Sequence, residues 1–408
     1  MALEIPTWLN LCFMEKTLRK SENDSSIQVI DIISKPATNK GDNYSSDMVR
    51  VIVEYSRDQS GRKITEKKSI IVKIAPTQGI RKDIIAQLRV FNTEMLMMVD
   101  TLDKMNKLLE PKYRLSGKGM YVQRDNPNLL VIEDLVPLGF RMACRKAGLD
   151  LPHCILAIRG LARFHATSVA VCEKEPNQKQ MYSRGIFSSE HPPKMGEFFI
   201  LSIKHLAKEM ANWPEFKKYS EKVAKLADHI YEMGIEASKF SEDDFNVINH
   251  GDCWVNNMMF KYNNDGKPIG HIFVDFQVCV YTSPAVDLLY FFSTSPSPDV
   301  IENNKDILFN EYRSTLSATM KQLDCKTQPP TKEELNASMK RRAAYEMIAS
   351  FTVLPIILID KNEVKDFDEI NKEMNKDDYT NPGHKNETYK KIMMKRVPIY
   401  DEWGLLDV

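Results

Sequence analysis

Between Val247 and Asp287 the chain reads VINHGDCWVNNMMFKYNNDGKPIGHIFVDFQVCVYTSPAVD, and its hydrophobic pattern allows few shapes. Asn246 to Asn249 is a short apolar lead-in, and Met258 to Tyr262 alternates as a strand does. Asn263-Asn264-Asp265-Gly266 is turn chemistry, and His271 to Asp275 is a second apolar run. The pattern predicts a loop, then a hairpin, then an aspartate at the hairpin's far end. That path brings Asp252, Asn257 and Asp275 together.

Asp and Asn are ordinary turn formers, so any one of the three alone argues nothing. Together they match what phosphoryl transfer asks of a protein: a carboxylate to orient and deprotonate the attacking hydroxyl, and oxygen ligands for magnesium on the nucleotide phosphates. Asp252 suits the first role. Asn257 and Asp275 suit the second, as hard oxygen ligands for a hard cation.

HGDCWVNN with a following VDFQ resembles the small-molecule kinases of the protein-kinase-like fold, among them aminoglycoside phosphotransferases and choline kinases. Protein kinases carry H-R-D-x-x-x-x-N and D-F-G at these places. Gly251 and Trp254 point instead to the insect ecdysteroid kinase-like (CHK kinase-like) family. The likeness runs from about residue 27 to about residue 300 and more loosely to the C-terminus. It implies an α+β, two-lobed fold. Residues 1–135 would form a nucleotide-binding lobe of antiparallel sheet plus helix, and residues 136–408 a mostly helical lobe for catalysis and substrate.

The earlier chain is consistent with that order of elements. Residues 5–20 read as an amphipathic helix, and Ile27 to Pro36 and Asp47 to Tyr55 as strands. The polar turn between these strands has one glycine, Gly41, and is on its own a plain hairpin turn. The resemblance makes Gly41, Asn43, Tyr44 and Ser45 phosphate-loop candidates, because the family carries a similar G-[DE]-N-Y-x-S loop there. Ser69 to Ala75 is a strand whose Lys73 shares a face with Ile71 and Ala75. On an edge strand such a lysine would be solvated; on a buried strand it needs an anionic partner. It resembles the V-A-I-K strand, whose lysine reaches the α- and β-phosphates.

Asp83 to Glu110 carries a stripe from Ile84 to Leu109 at helical spacing. Glu94 falls on the border of that stripe, where a carboxylate either pairs with Lys73 or stays a surface charge. Two strands follow, Gly119 to Arg124 and Asn128 to Glu133. The Glu133-Asp134-Leu135 segment then leads into a Pro-Leu-Gly linker, and the resemblance puts the adenine edge at Glu133 and Leu135.

Helical patterns dominate from Leu151, with helices expected near 195–211, 214–238, 302–323, 332–360 and 386–396 and a mobile polar loop over 361–388. His165 reads as a satisfied core histidine. The family has an Asp that braces the catalytic loop, and Asp287 matches it. Gln277 stands where D-F-G has its glycine, and no H-R-D or A-P-E is present. A protein-kinase activation segment is thereby excluded.

Composition narrows the partners. Lys plus Arg and Asp plus Glu each number 56, so no general electrostatic case exists for nucleic acid or an anionic membrane. Seven scattered cysteines without a CxxC pair read as reduced thiols. The N-terminus lacks a basic n-region, and Met347 to Ile359 is too short to span a bilayer. The expectation is a cytoplasmic kinase that uses ATP and Mg²⁺ to phosphorylate a hydroxyl of a small molecule. The resemblance implies an ecdysteroid, another steroid or a xenobiotic alcohol as acceptor, the last implying detoxification. Phe198, Phe199, Trp213, Phe291 and Phe292 either line an apolar acceptor pocket or belong to the core. The alternatives are a choline- or aminoglycoside-type kinase and a nucleotide-binding pseudokinase scaffold.

Overall fold

The computed structural model describes residues 5–38, 45–360, 363–365, 367–374, 376 and 379–408. Gly41, Asn43 and Tyr44 of the expected phosphate loop lie outside these residues. The chain divides into two compact units, Met1–Arg141 and Met142–Val408.

In the first unit the apolar alternation of the early chain becomes a five-stranded antiparallel sheet. Its strands are β1 (Gln28–Pro36), β2 (Asp47–Gln59), β3 (Arg62–Ile74), β4 (Gly119–Gln123) and β5 (Leu129–Glu133), in the order β1-β2-β3-β5-β4. Helix α1 (Leu11–Glu22) starts later than its sequence suggests, because Asn10 caps it by accepting from the Phe13 N–H at 3.1 Å. Met14 and Leu18 of α1 join Val49, Val51, Val53, Ile70 and Val72 in one core. Each such side chain contributes about 1.5–3 kcal/mol on burial.

The stripe from Ile84 to Leu109 is not one helix. Gly79–Leu88 stops where Arg89 turns left-handed (φ 56°), Val90–Leu96 resumes, and Met97–Thr101 widens into a π-turn before Leu102–Leu109. The wide turn inserts an extra residue and lets consecutive Met97 and Met98 both go under. β4 packs so closely here that a Cβ on Gly119 would lie 2.6 Å from the Met98 carbonyl oxygen.

Where β5 ends, Asp134 ties three strands together. It accepts from Arg50 Nε of β2 at 2.7 Å, Ser69 Oγ of β3 at 2.6 Å and the Val136 N–H at 3.1 Å. Burial alone would raise this carboxyl, but the hydrogen bonds from Arg50, Ser69 and Val136 win and hold it below its ordinary value.

The second unit is mostly helical. Its longest apolar helix, Leu151–Lys174, is long and apolar enough to cross a membrane by length and composition, yet 78% of its apolar window is buried inside the protein. It lies along Pro298–Gln322 and against the strand Pro268–Phe273. That strand pairs with Met258–Tyr262 as the expected hairpin, and Val247–Asn249 pairs with Val280–Thr282.

The helices expected over 214–238 and 332–360 are broken into Lys217–Leu226 and Ile230–Ser238, and into Lys332–Arg341, Ala343–Thr352 and Leu354–Leu358. One break falls at Arg342, whose guanidinium bonds Asp244 at 2.8 Å and the Lys239 carbonyl at 2.9 Å. Another precedes Pro355, which fits a first helical turn.

The polar 361–388 stretch includes a helix, Phe367–Met374, and a fully buried His384. His384 Nε2–H donates to the Phe351 carbonyl at 3.1 Å, so its Nδ1 accepts from His205 Nδ1–H at 2.8 Å. Burial pushes the His384 pKa down to about 3, which keeps this pair neutral.

The Asp134 tie gives a prediction with a pH signature. A carboxylate held below its ordinary pKa stabilises the fold above the unfolded-state value, and that gain is lost as pH falls through the folded value. In urea denaturation at neutral pH, Asp134→Asn should cost about 2 kcal/mol. The gap between wild type and variant should close as the buffer is taken below the ordinary carboxylate range.

Candidate active site

In the first unit, Lys73 lies on β3 between β2 and β5, opposite Met48 on one side and Leu130 on the other. It is therefore a central-strand lysine, with a side chain only 3% exposed. A buried ammonium is costly unless paired. Glu94 supplies the partner, with Nζ and Oε2 2.7 Å apart and a carboxylate 4% exposed. Of the two roles the sequence leaves open for Glu94, the structure has the ion pair.

Of the other described residues expected at the nucleotide, Glu133 ends β5, Ser45 lies just before β2 and Leu135 just after β5. Ser45 is buried. Glu133 directs its carboxylate to Arg114 and to the Lys118 N–H at 3.0 Å, so its side chain serves the strand end. Leu135 is buried, and its carbonyl accepts from the Leu138 and Phe140 N–H groups at 3.1 and 3.2 Å.

The second unit brings Asp252, Asn257 and Asp275 into one loop system. The backbone turns at Gly251 with φ 84°, and a Cβ there would lie 2.0 Å from the Val278 carbonyl oxygen. Only glycine fits that approach. Asp252 follows, partly exposed. Its Oδ2 accepts from Asn257 Nδ2 at 2.8 Å and its Oδ1 from the Tyr290 hydroxyl at 2.6 Å. Burial pushes the Asp252 carboxyl above its ordinary value and Asp275 adds to that, while Tyr290, His250 and Asn257 pull it back.

Asn257 also donates to the Asp252 carbonyl at 2.9 Å. Both of these bonds come from Nδ2, so the amide oxygen is directed the other way. The Asn257 carbonyl accepts from the Val274 N–H at 3.0 Å, which sets the residue before Asp275 beside Asn257. An amide oxygen and a carboxylate on adjoining segments fit a hard cation by chemistry. Among the described residues no group of three His, Cys, Asp or Glu could hold a metal. The fit therefore rests on this Asn–Asp pair, with further ligands supplied by phosphates or water, as magnesium prefers. Asp275 has φ 66°, an uncommon backbone state of the kind that collects at functional sites.

Asp287 holds the loop from below. It is fully buried and accepts from the His250 N–H at 2.7 Å and the Gly251 N–H at 2.9 Å. His165 Nε2–H donates to the same carboxylate at 3.0 Å, and His165 Nδ1 accepts from the Tyr312 hydroxyl at 2.8 Å. His165 is thus a satisfied core histidine. His250 donates through Nε2–H to the Val274 carbonyl at 3.0 Å and packs on Phe276 with ring centroids 4.8 Å apart. It holds the loop through these contacts.

Beside these residues in the chain, the buried Trp254 Nε1 and Gln277 Oε1 have no hydrogen-bond partner among the described residues. Sequence reasoning missed Tyr290 altogether. The available signal was its position three residues after Asp287, on the same helical face. Of the five aromatic residues considered for an acceptor pocket, Phe199, Trp213, Phe291 and Phe292 are buried against other rings and belong to the core. Phe198 stays partly exposed beside Tyr379.

A pinned loop bearing an Asp and an Asn, with a second Asp on the adjoining segment, is chemically compatible with phosphoryl transfer. The ecdysteroid kinase-like family model matches residues 40–325, and the chain belongs to that family. Its fold is α+β and protein-kinase-like, and membership supports a small-molecule phosphotransferase. No curated protein matches the chain.

Similar solved structures include an ethanolamine kinase from Plasmodium vivax, at 13% identity over 93% of this chain and 84% of that one, with a TM-score of 0.38. A choline kinase from Streptococcus pneumoniae is 14% identical over 90% and 96%, at 0.36. A choline/ethanolamine kinase family protein from Mesorhizobium loti is 11% identical over 88% and 88%, at 0.37. A likeness of this size carries no argument about function.

Asp287 uses both carboxylate oxygens, and an amide offers only one acceptor. Asp287→Asn should leave a buried N–H of the loop unpaired and cost about 3 kcal/mol in urea denaturation. An unchanged midpoint would show that the loop does not depend on this carboxylate.

Proposed function

We propose that this protein transfers the γ-phosphoryl group of ATP to a hydroxyl of a small molecule, a steroid such as an ecdysteroid or a xenobiotic alcohol, acting in the cytoplasm. The observation that carries the reading is the held carboxylate of Asp252, flanked by Asn257 and Asp275. In the proposed step Asp252 orients the acceptor hydroxyl and takes its proton. The acceptor oxygen forms a bond to the γ-phosphorus while the bond from that phosphorus to the bridging oxygen of ADP breaks. Magnesium, when bound, neutralises charge on the phosphates, and Asn257 Oδ1 and the Asp275 carboxylate are its proposed ligands.

In the first unit Lys73 is the proposed phosphate-binding cation, and the ion pair with Glu94 holds its ammonium in place. Gly41, Asn43, Tyr44 and Ser45 are proposed to cover the phosphates, and the backbone near Glu133 and Leu135 to take the adenine edge. The corresponding division of labour gives residues 1–135 to the nucleotide and 136–408 to catalysis and acceptor. Membership of the ecdysteroid kinase-like family supports a steroid acceptor.

The test is ADP release with Mg-ATP across ecdysteroids, plant alcohols and choline. Turnover should depend on acceptor and on Mg²⁺, and should fall by about a hundredfold to ten-thousandfold in Asp252→Asn. Acceptor-dependent release that survives in Asp252→Asn would remove Asp252 from the role of base. Failure to bind Mg-ATP at all would end the kinase reading.

A further inference from the structure

The helix Ala285–Thr294 reaches the catalytic loop twice within one turn. Asp287 binds the backbone N–H groups of His250 and Gly251, and three residues on, Tyr290 binds the side chain of Asp252. Residues three apart share a helical face, so one rigid surface addresses both the main chain and the carboxylate of the loop. Tyr290 is 4% exposed, and its ring lies 6.1 Å from that of Tyr345, which is 2% exposed. A phenol packed in this way keeps its hydroxyl in place at little entropic cost.

We infer that Tyr290 is a positioning residue for phosphoryl transfer: its hydroxyl, with Asn257 Nδ2 on the other oxygen, fixes the plane of the Asp252 carboxylate toward the acceptor. The inference rests on the reading of Asp252 as the base. A free aspartate side chain turns about two torsions, and each alternative rotamer carries its oxygens away from an attacking hydroxyl. Here Oδ1 is tied at 2.6 Å and Oδ2 at 2.8 Å, so neither torsion is free. Each carboxylate oxygen has a second lone pair, and those that remain are aimed by the two bonds already made. Catalytic geometry held in advance is worth most at the transition state, where a small misplacement costs rate more than binding.

Tyr290→Phe removes one hydroxyl and keeps the ring, so the packing against Tyr345 is preserved. With the best acceptor of the panel, kcat should fall about tenfold while KM for ATP and for the acceptor stay as in wild type. In an Asp252→Asn background the same substitution should have no further effect, because Tyr290 acts only through the carboxylate. Equal losses in both backgrounds, or a rise in KM with kcat unchanged, would overturn the positioning role.

A readout without turnover separates this inference from the kinase reading. In the ultraviolet resonance Raman difference between wild type and Tyr290→Phe, the tyrosine Fermi doublet should show a strong hydrogen-bond donor. That donor signature should vanish when the same difference is taken in Asp252→Ala. If wild type phosphorylates no alcohol, the kinase reading fails, and a missing donor signature independently overturns the Tyr290–Asp252 link.

Discussion

The second unit depends on a carboxylate that never meets solvent. Asp287 is fully buried, and its two oxygens take three donors: the His250 N–H, the Gly251 N–H and His165 Nε2–H. Backbone N–H groups in a buried loop have no ladder partner of their own, and an unmet one costs as much as a lost hydrogen bond. A neutral acceptor would satisfy one of them. A carboxylate satisfies both and is in turn stabilised by them. The loop is thus held at its main chain before any of its side chains is considered, and the chemistry carried by Asp252 inherits that rigidity.

The same logic of pairing runs through the first unit. Lys73 and Glu94 are each almost wholly buried, and neither would be tolerated alone in a sheet core. Such a pair is weak evidence of stability, since apolar residues of the same volume would serve as well or better. Its presence beside the middle strand of a five-stranded sheet therefore needs another reason, and the proposed phosphate-binding role of Lys73 would supply one. Asp134 is different. It joins Arg50, Ser69 and Val136, all of them structural partners, and accounts for why the strand end at Glu133 and Leu135 has a fixed shape.

Much of this was legible in the sequence, and the reason is period. Strands that alternate, a turn of Asn-Asn-Asp-Gly and an Asp at the end of an apolar run are local signals, and the hairpin and an antiparallel sheet formed, although the hairpin's second strand is Pro268–Phe273 rather than His271 to Asp275 and β3 starts at Arg62 rather than Ser69. What was not legible depends on partners far along the chain. The stripe from Ile84 to Leu109 has helical spacing throughout, but it breaks at the left-handed Arg89, and its π-turn at Met97–Thr101 accompanies the close approach of Gly119 to Met98. The 361–388 stretch looked like a surface loop because it is polar. His384 within it is buried, since His205 and the Phe351 carbonyl satisfy both ring nitrogens. Tyr290 was hidden in an apolar run, where nothing marks one aromatic residue as the one whose hydroxyl matters.

The absence of an arginine after His250 has a mechanical explanation. The chain following Asp275 passes so close to Gly251 that any side chain there would strike the Val278 carbonyl, so an H-R-D sequence is incompatible with this path. That contact works with two others. His250 donates to the Val274 carbonyl, and the Val274 N–H donates to the Asn257 carbonyl, so the residue just before Asp275 is gripped at both its polar groups. Asp275 is then obliged to take up its left-handed conformation, a state that persists only where its surroundings over-determine it. Phe276, fully buried under His250, closes off the alternative of turning outward. The relative position of Asp252 and Asp275 is therefore set by contacts that grip the main chain on either side of them, leaving their own side chains free to be chosen for chemistry.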